Sequence, residues 1–171
     1  KGLGYSDMPK GMIKFHQYSA CSRTAFHEHL AEAVDFLADK NNNIALHFTV
    51  QEKHEKLIKE HLEQCSRKFE AHNFNIVLSN QQKSTDTIAV TMDNKPFIDE
   101  DGSVLFRPGG HGALLKNLNN CNADIVFIKN IDNIKPDWFR ADTIKYKQLL
   151  GGFFVDIQER IFSYLNSIES G

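Results

Sequence analysis

The chain has 171 residues, 41% hydrophobic and 25% charged, a size and balance that suit one domain with a sizeable core. Its formal net charge is -2, so it lacks the clustered basic charge by which nucleic-acid binders are recognised. No apolar run approaches the ~20 residues that cross a bilayer and no signal-peptide pattern opens the chain, so the expectation is a cytoplasmic protein with neither nucleic-acid nor membrane partner. The first residue is Lys1 rather than Met, and the chain is read as a single domain, residues 1–171, cut from a longer protein. Cys21, Cys65 and Cys121 are odd in number and widely spaced, which fits neither a disulfide framework nor a zinc knuckle; they are read as reduced thiols.

In chain order, residues 1–22 read as loop, with a short extended piece at Met12–Phe15. Ser22 is placed to cap a helix from Arg23 to about Ala38, where Phe26, Leu30, Ala33, Val34 and Leu37 follow helical spacing. A polar turn at Asn41–Asn43 precedes a strand, Ile44–Val50, and then a helix, Glu52–Ala71, that buries Leu57, Ile58, Leu62, Cys65 and Phe69. Strands are expected at Phe74–Ser79 and Thr87–Met92, and the turn clusters Asp93-Asn94 and Asp99–Gly102 flank a hairpin ending in Val104–Phe106. Pro108–Gly112 leads into a helix near Ala113–Leu118. Ala123–Ile131 is so apolar that it reads as a central parallel strand buried on both faces. Ile144–Ile168 reads as a long closing helix, with a break or close packing expected at Gly151-Gly152. This order predicts an α/β fold: a three-layer arrangement with a mainly parallel, mixed sheet flanked by helices. Ligands of such folds bind at the carboxyl ends of strands, here Val50, Ser79–Asp86, Arg107–His111 and Asn130–Asn133.

Four segments carry polar chemistry at those ends or near them. Gly109, Gly110 and Gly112 around His111 permit positive φ and close backbone approach, and a helix follows; the segment is either a ligand loop or a tight connection that needs glycine only for its turn. Asp132, between Asn130 and Asn133, either holds Mg²⁺ together with substrate phosphates or ends its strand in a turn. Lys10, framed by Pro9 and Gly11, is a point charge for a phosphate or a solvated lysine. Gln81, in the polar run Ser79–Asp86, reads a base or sugar, or belongs to a linker. Arg23 opens a helix and either meets phosphate or simply charges the helix start. His27 and His29 lie two apart and point to different sides of a helix, so they cannot grip one ion. His54 and His61 have no evident third ligand, Asp86 is a turn cap or else a base or second ligand, and Trp138 and Phe139 fill the core edge or else wall a pocket.

Pro108–Gly112, followed by a helix and Asn130-Ile131-Asp132-Asn133, resembles the UDP-sugar pyrophosphorylases, as do Pro9-Lys10-Gly11 and Gln81. Over nearly the whole chain the runs Pro9–His16, Arg23–Phe26, His47–Val50, Ser84–Val90, Phe106–Gly112 and Asn130–Asn133 resemble a bacterial family, domain of unknown function 4301. The resemblance implies a nucleotide-diphospho-sugar transferase fold. It implies that Gly110-His111-Gly112 lies on the uridine part of a nucleotide sugar with Gln81 near the base, that Asp132 holds Mg²⁺ beside the diphosphate, and that Lys10 faces a phosphate. Lys10 and Asp132 would then be the catalytic pair, with Arg23, Gln81, Gly109, Gly110, His111, Gly112, Asn130 and Asn133 around the ligand. The sequence departs from the pyrophosphorylase pattern at Gly2–Asp7, a faint echo of the loop that grips a triphosphate, and it has no identifiable second metal carboxylate. Two functions follow: sugar-phosphate uridylyltransferase chemistry, or a nucleotide-sugar sensor without catalysis. Oligomeric state is not legible.

Overall fold

A computed structural model describes residues 4–169. The fold is mixed α/β: strands β1 (Lys14–Gln17) and β2 (Ser22–Thr24), helix α1 (Ala25–Phe36), strand β3 (Asn43–Thr49), helix α2 (Glu55–Ser66), strand β4 (Asn73–Ser79), strands β5 (Thr87–Ile88) and β6 (Phe106–Arg107), and helices α3 (Leu115–Asn119) and α4 (Asp137–Glu169). The residues gather into two compact units. One holds the described residues up to Ile44, Cys65–Asn73 and those from Lys129 onward; the other holds Ala45–Gln64 and Phe74–Ile128.

In the first unit β1 and β2 form an antiparallel hairpin closed by Tyr18 N–H donating to Cys21 O at 2.8 Å. Ser22 is thereby drawn into the hairpin, where its hydroxyl bonds the Gln17 side chain. The cap of α1 therefore falls two residues later than expected, on Thr24, whose Oγ1 accepts from His27 N–H at 3.2 Å. Helix α1 is the core of this unit: Ala25, Phe26, Leu30, Ala31 and Ala33 are buried, and so are Thr24, His27, Glu28 and Glu32. A helix buried on more than one face needs polar partners for every charge it carries inward. Glu32 receives Lys129 Nζ at 2.8 and 2.7 Å on its two oxygens, and Lys147 Nζ bonds it as well. Burial alone would raise the Glu32 carboxyl, but the two ammonium groups hold it below its ordinary value. Helix α4 begins at Asp137, just after Pro136, earlier than the apolar spacing suggests. It runs unbroken through Gly151-Gly152 for 33 residues, or about 50 Å at ~1.5 Å per residue. Its expected apolar face is not covered: Leu149, Leu150, Phe153, Phe154 and Ile161 are exposed. No helix among the described residues is long and apolar enough to cross a membrane.

Strands β3 and β4 pair, with Asn73 N–H on Asn42 O at one end and Val50 N–H on Ser79 O at the other. Both chains thus run the same way, joined through α2, as a parallel strand–helix–strand unit requires. In the second unit residues 87–107 make an extended meander. Asn94 (φ 60°) and Gly102 (φ 83°) take the left-handed conformation that closes its two turns. Ala89 N–H donates to Leu105 O, Leu105 N–H to Phe97 O and Phe97 N–H to Ala89 O, at 2.8–2.9 Å, so the three extended segments close a ring of backbone bonds.

The single, mainly parallel sheet expected from the element order is not what the described residues form. They make three two-stranded sheets, β1-β2, β3-β4 and β5-β6. Residues 123–131, expected as a doubly buried central strand, form no strand, and Val126, Phe127 and Ile128 are exposed. Apolarity marks a segment for burial, but a strand exists only where a neighbouring ladder accepts its hydrogen bonds.

Replacing Glu32 by Gln leaves two partly desolvated ammonium groups, Lys129 and Lys147, facing one another without their shared anion. The expected loss is about 3–5 kcal/mol, read from the midpoint of urea unfolding; a loss under about 1 kcal/mol, the size of an exposed pair, would show that the triad is not a buried one.

Candidate functional site

Helix α1 is the platform on which two of the expected site residues meet. Lys10 begins a 3-10 turn, Lys10–Met12. The next residue, Gly11, is buried flat against the Phe26 ring. A Cβ there would lie 2.7 Å from Phe26 Cδ2 and no farther from two other ring carbons, closer than real carbon atoms pack. Glycine is thus the residue that lets the Lys10 backbone rest on α1. On another side of the helix Ile131 O accepts from His29 Nε2–H at 3.0 Å, and the Lys129 bonds to Glu32 tie down the same segment. Asn133 N–H returns to Asn130 O at 3.1 Å, closing a turn with Ile131 and Asp132 at its tip. This turn carries Asp132 to Lys10, and the two side chains form an ion pair across 122 positions of sequence, both of them exposed.

Arg23 lies in a second cluster of the same unit. It donates to Asp137 Oδ1 at 2.8 Å, lies 3.5 Å from Glu28 Oε2 and stacks 4.1 Å from the Tyr18 ring. Glu28, fully buried, accepts from Tyr18 Oη at 2.8 Å and from His16 Nδ1–H at 3.0 Å. Asp137 N–H in turn donates to Tyr18 Oη, which fixes the direction of the chain of bonds. Burial, reinforced by the Glu28 carboxylate, pushes the Tyr18 phenol up to about 12. Arg140 donates to Asp35 at 2.7 Å, lies 2.7 Å from Asp137 and faces Glu28 at 3.7 Å. Here Arg23 is an anchor between β2, α1 and the start of α4.

In the other unit Gln81 Nε2 donates to Asp86 Oδ1 at 3.0 Å, so Asp86 orients the Gln81 amide. A Cβ on Gly109 would meet Ala113 Cβ and Thr85 O, both at 3.0 Å, whereas one on Gly110 or Gly112 would meet open space. Glycines with positive φ among the described residues are Gly4 and Gly102, so the Gly109–Gly112 loop uses its glycines for space and bare backbone and not for left-handed turns. His111 is exposed and opens the 3-10 turn His111–Leu114 that leads into α3.

Sequence reasoning passed over His29, Glu32 and Lys129 as functional supports. The helical argument that His27 and His29 diverge holds: His27 packs edge-on against Phe69 at 5.9 Å, while His29 turns to Ile131. Nothing local could have announced the second contact, whose partner is 102 positions away.

Two predictions follow from this platform. Gly11→Ala overpacks Phe26 and costs about 1–3 kcal/mol in thermal unfolding; the second change Phe26→Leu, which clears the ring, recovers much of it, and additive losses would refute the contact. Burial holds the His29 imidazole below its ordinary value of 6.5, with Lys129 and Lys147 adding to that effect against the carbonyl of Ile131. Below pH 6.5 the unfolded chain therefore binds a proton that the folded chain refuses, and stability falls as pH falls. The melting temperature should decline between about pH 6.5 and 5, and His29→Gln, which keeps a donor without a titrating ring, should flatten that decline; an unchanged slope would remove His29 from this role.

No curated protein and no solved structure matches the chain. A family model described as "Domain of unknown function (DUF4301)" matches residues 1–171. The match spans the whole length and so takes in the hairpin, α1, the Lys10–Asp132 pair and the glycine–histidine loop together: the chain belongs to the DUF4301 family.

Proposed function

We propose that this chain binds a nucleoside triphosphate or nucleotide sugar through Lys10 and Asp132, in a nucleotidyltransferase-like domain with sugar-phosphate uridylyltransferase (pyrophosphorylase) chemistry. One observation carries the reading. Two side chains singled out by their sequence surroundings, a lysine after proline and an aspartate between asparagines, stand against each other across 122 positions. Without ligand they neutralise one another. Both are exposed, and an exposed pair contributes only ~0–1 kcal/mol, so a ligand that offers each a better partner opens it easily. A nucleotide with Mg²⁺ is such a ligand: a hard cation takes the carboxylate, and a phosphate oxygen takes the ammonium.

The donor set fits a metal carried in by its nucleotide. Mg²⁺ is commonly held by one or two carboxylates plus phosphates and water; Asp132 supplies one, with Asn130 and Asn133 at the same turn. Among the described residues no group of three His, Cys, Asp or Glu side chains stands ready to form a protein-only cage. When bound, the metal would supply charge neutralisation at the phosphate under attack. Lys10 would hold a phosphate oxygen in line, and the rigid turn on α1 would keep Asp132 in place, so this chain's part is positioning and electrostatics. Gln81, Gly110, His111 and Gly112 stand in the other unit, so the reading rests on Lys10 and Asp132. Within the mixed α/β fold, β3–α2–β4 is a parallel strand–helix–strand unit of the kind that nucleotide-binding α/β domains use.

The test uses full-length protein, Mg²⁺ and a panel of nucleoside triphosphates, sugar phosphates and UDP-sugars, with binding read by calorimetry and turnover by pyrophosphate release. Tight binding of one triphosphate or UDP-sugar is expected. Lys10→Ala should weaken it by roughly tenfold, about 1.4 kcal/mol, and Asp132→Asn should abolish its dependence on Mg²⁺. Turnover establishes the transferase, whereas binding without turnover establishes a sensor. No binding across the panel, or binding indifferent to both substitutions, refutes the proposal.

A further inference from the structure

The second unit contains a thiol with an imidazole against it. His47, in β3, has Nδ1 at 2.9 Å from Cys121 Sγ and Nε2 at 2.7 Å from Ser79 Oγ. Asn117, buried in α3, gives both hydrogens of its Nδ2, one to Ser79 Oγ at 2.8 Å and one to Asn80 O at 2.9 Å. Since a backbone carbonyl can only accept, the Asn80 contact fixes which end of the amide is nitrogen. Ser79 Oγ accepts from Asn117 and keeps its own proton for a further bond, for which His47 Nε2 at 2.7 Å is the nearer acceptor and Thr49 Oγ1 at 3.5 Å the farther. With Nε2 accepting, the ring proton of neutral His47 sits on Nδ1 and points at sulfur. In that tautomer the bonds run one way, from Asn117 to Ser79 to His47 to Cys121, and successive bonds of this kind polarise one another.

Asn117 is itself held in this orientation by its two donors. Its Oδ1 is buried and has no hydrogen-bond partner, while the residue is 6% exposed. A buried amide oxygen left unsatisfied is destabilising; the amide stays in this orientation because both its donors are engaged. Cys121 Sγ stands between His47 Nδ1 at 2.9 Å and Asn117 O at 3.6 Å, so with the ring proton on Nδ1 the sulfur receives a hydrogen bond from the imidazole. An imidazole set against a half-buried sulfur is a setting in which reactive thiols are found. Cys121 is half-buried with some access to solvent, Cys21 is exposed and Cys65 is buried.

We propose that Cys121 is a reactive thiol, its thiolate held by the Nδ1–H of His47, and that it takes small disulfides as substrates. The thiol proton leaves to solvent, and Sγ attacks one sulfur of the disulfide. A bond from Sγ to that sulfur forms as the reagent's own sulfur–sulfur bond breaks. The electron pair departs on the second sulfur, which takes up a proton. Cys121 is oxidised to a mixed disulfide and one thiol is released.

Oxidised glutathione and intact full-length protein test this, with modification of each cysteine followed by peptide mass spectrometry at neutral pH. Cys121 should react on the order of tenfold faster than Cys21, although Cys21 is the more exposed of the two. His47→Leu should bring Cys121 down to or below the Cys21 rate. His47→Gln, which restores an N–H donor, should recover part of the difference, and ultraviolet absorbance of the thiolate should fall in the Leu variant and return in the Gln variant. Circular dichroism separates these effects from unfolding. If wild-type Cys121 reacts no faster than Cys21, the proposal fails without reference to any variant; nucleotide binding at Lys10 and Asp132 is measured separately and does not enter the comparison.

Discussion

Two carboxylates buried one helical turn apart, Glu28 and Glu32 on α1, govern the first unit. An anion taken out of water costs several kcal/mol even after relaxation, and this helix takes two of them inward. Each must be met by cations, and those cations come from elsewhere in the sequence. Arg23 approaches from β2, Arg140 and Lys147 from α4, and Lys129 from the segment before the Asn130–Asn133 turn. The helix thus gathers its surroundings by charge as much as by apolar area. Its apolar residues, Phe26 and Leu30 among them, fill the space between.

This arrangement decides which charges of the unit are neutralised inside and which stay in water. The cations nearest the buried carboxylates are engaged with them, and Arg23, which a sequence reading places at a phosphate, is one of these. Lys10 and Asp132 are different. They are held by backbone features, a glycine on a phenylalanine ring and a turn pinned through His29, while their charged ends stay in water. The proposed binding of a charged small molecule rests on that exposed, easily exchanged pair.

Local signals were read well where the physics is local. Helical periodicity located α1 to within two residues, whereas α2 ends five residues short of the expected Ala71, at Ser66, and leaves Leu57 exposed; the Asp/Asn/Gly clusters located both turns of the meander, where Asn94 and Gly102 take positive φ. The start of α4 was misplaced although Pro136-Asp137 is an ordinary helix-opening signal; the apolar count drew the boundary inward. The cap of α1 moved from Ser22 to Thr24 because hairpin pairing claimed Ser22 first. Residues 123–131 were read as a central strand from composition alone, yet strand formation depends on a neighbour that composition does not supply. At the glycine-rich loop the need for small residues was legible, but its reason was not: space against Thr85 and Ala113 at Gly109, in place of left-handed backbone.

By itself the sequence determined the types of α1, α2, β3 and β4, the two meander turns and the divergence of His27 and His29 along α1. These follow from propensity, periodicity and turn stereochemistry, which act over a few residues. Tertiary structure alone decided which charges are spent and which remain available. Arg23 and Lys10 look alike in sequence, each a cation beside a small or turn-forming residue, and only folding sets one against buried Glu28 and the other against exposed Asp132. The same holds for His47 and Cys121, 74 positions apart. The worth of a charge or a thiol is set by its solvation and its nearest partners, and a chain acquires both only when distant segments close on one another.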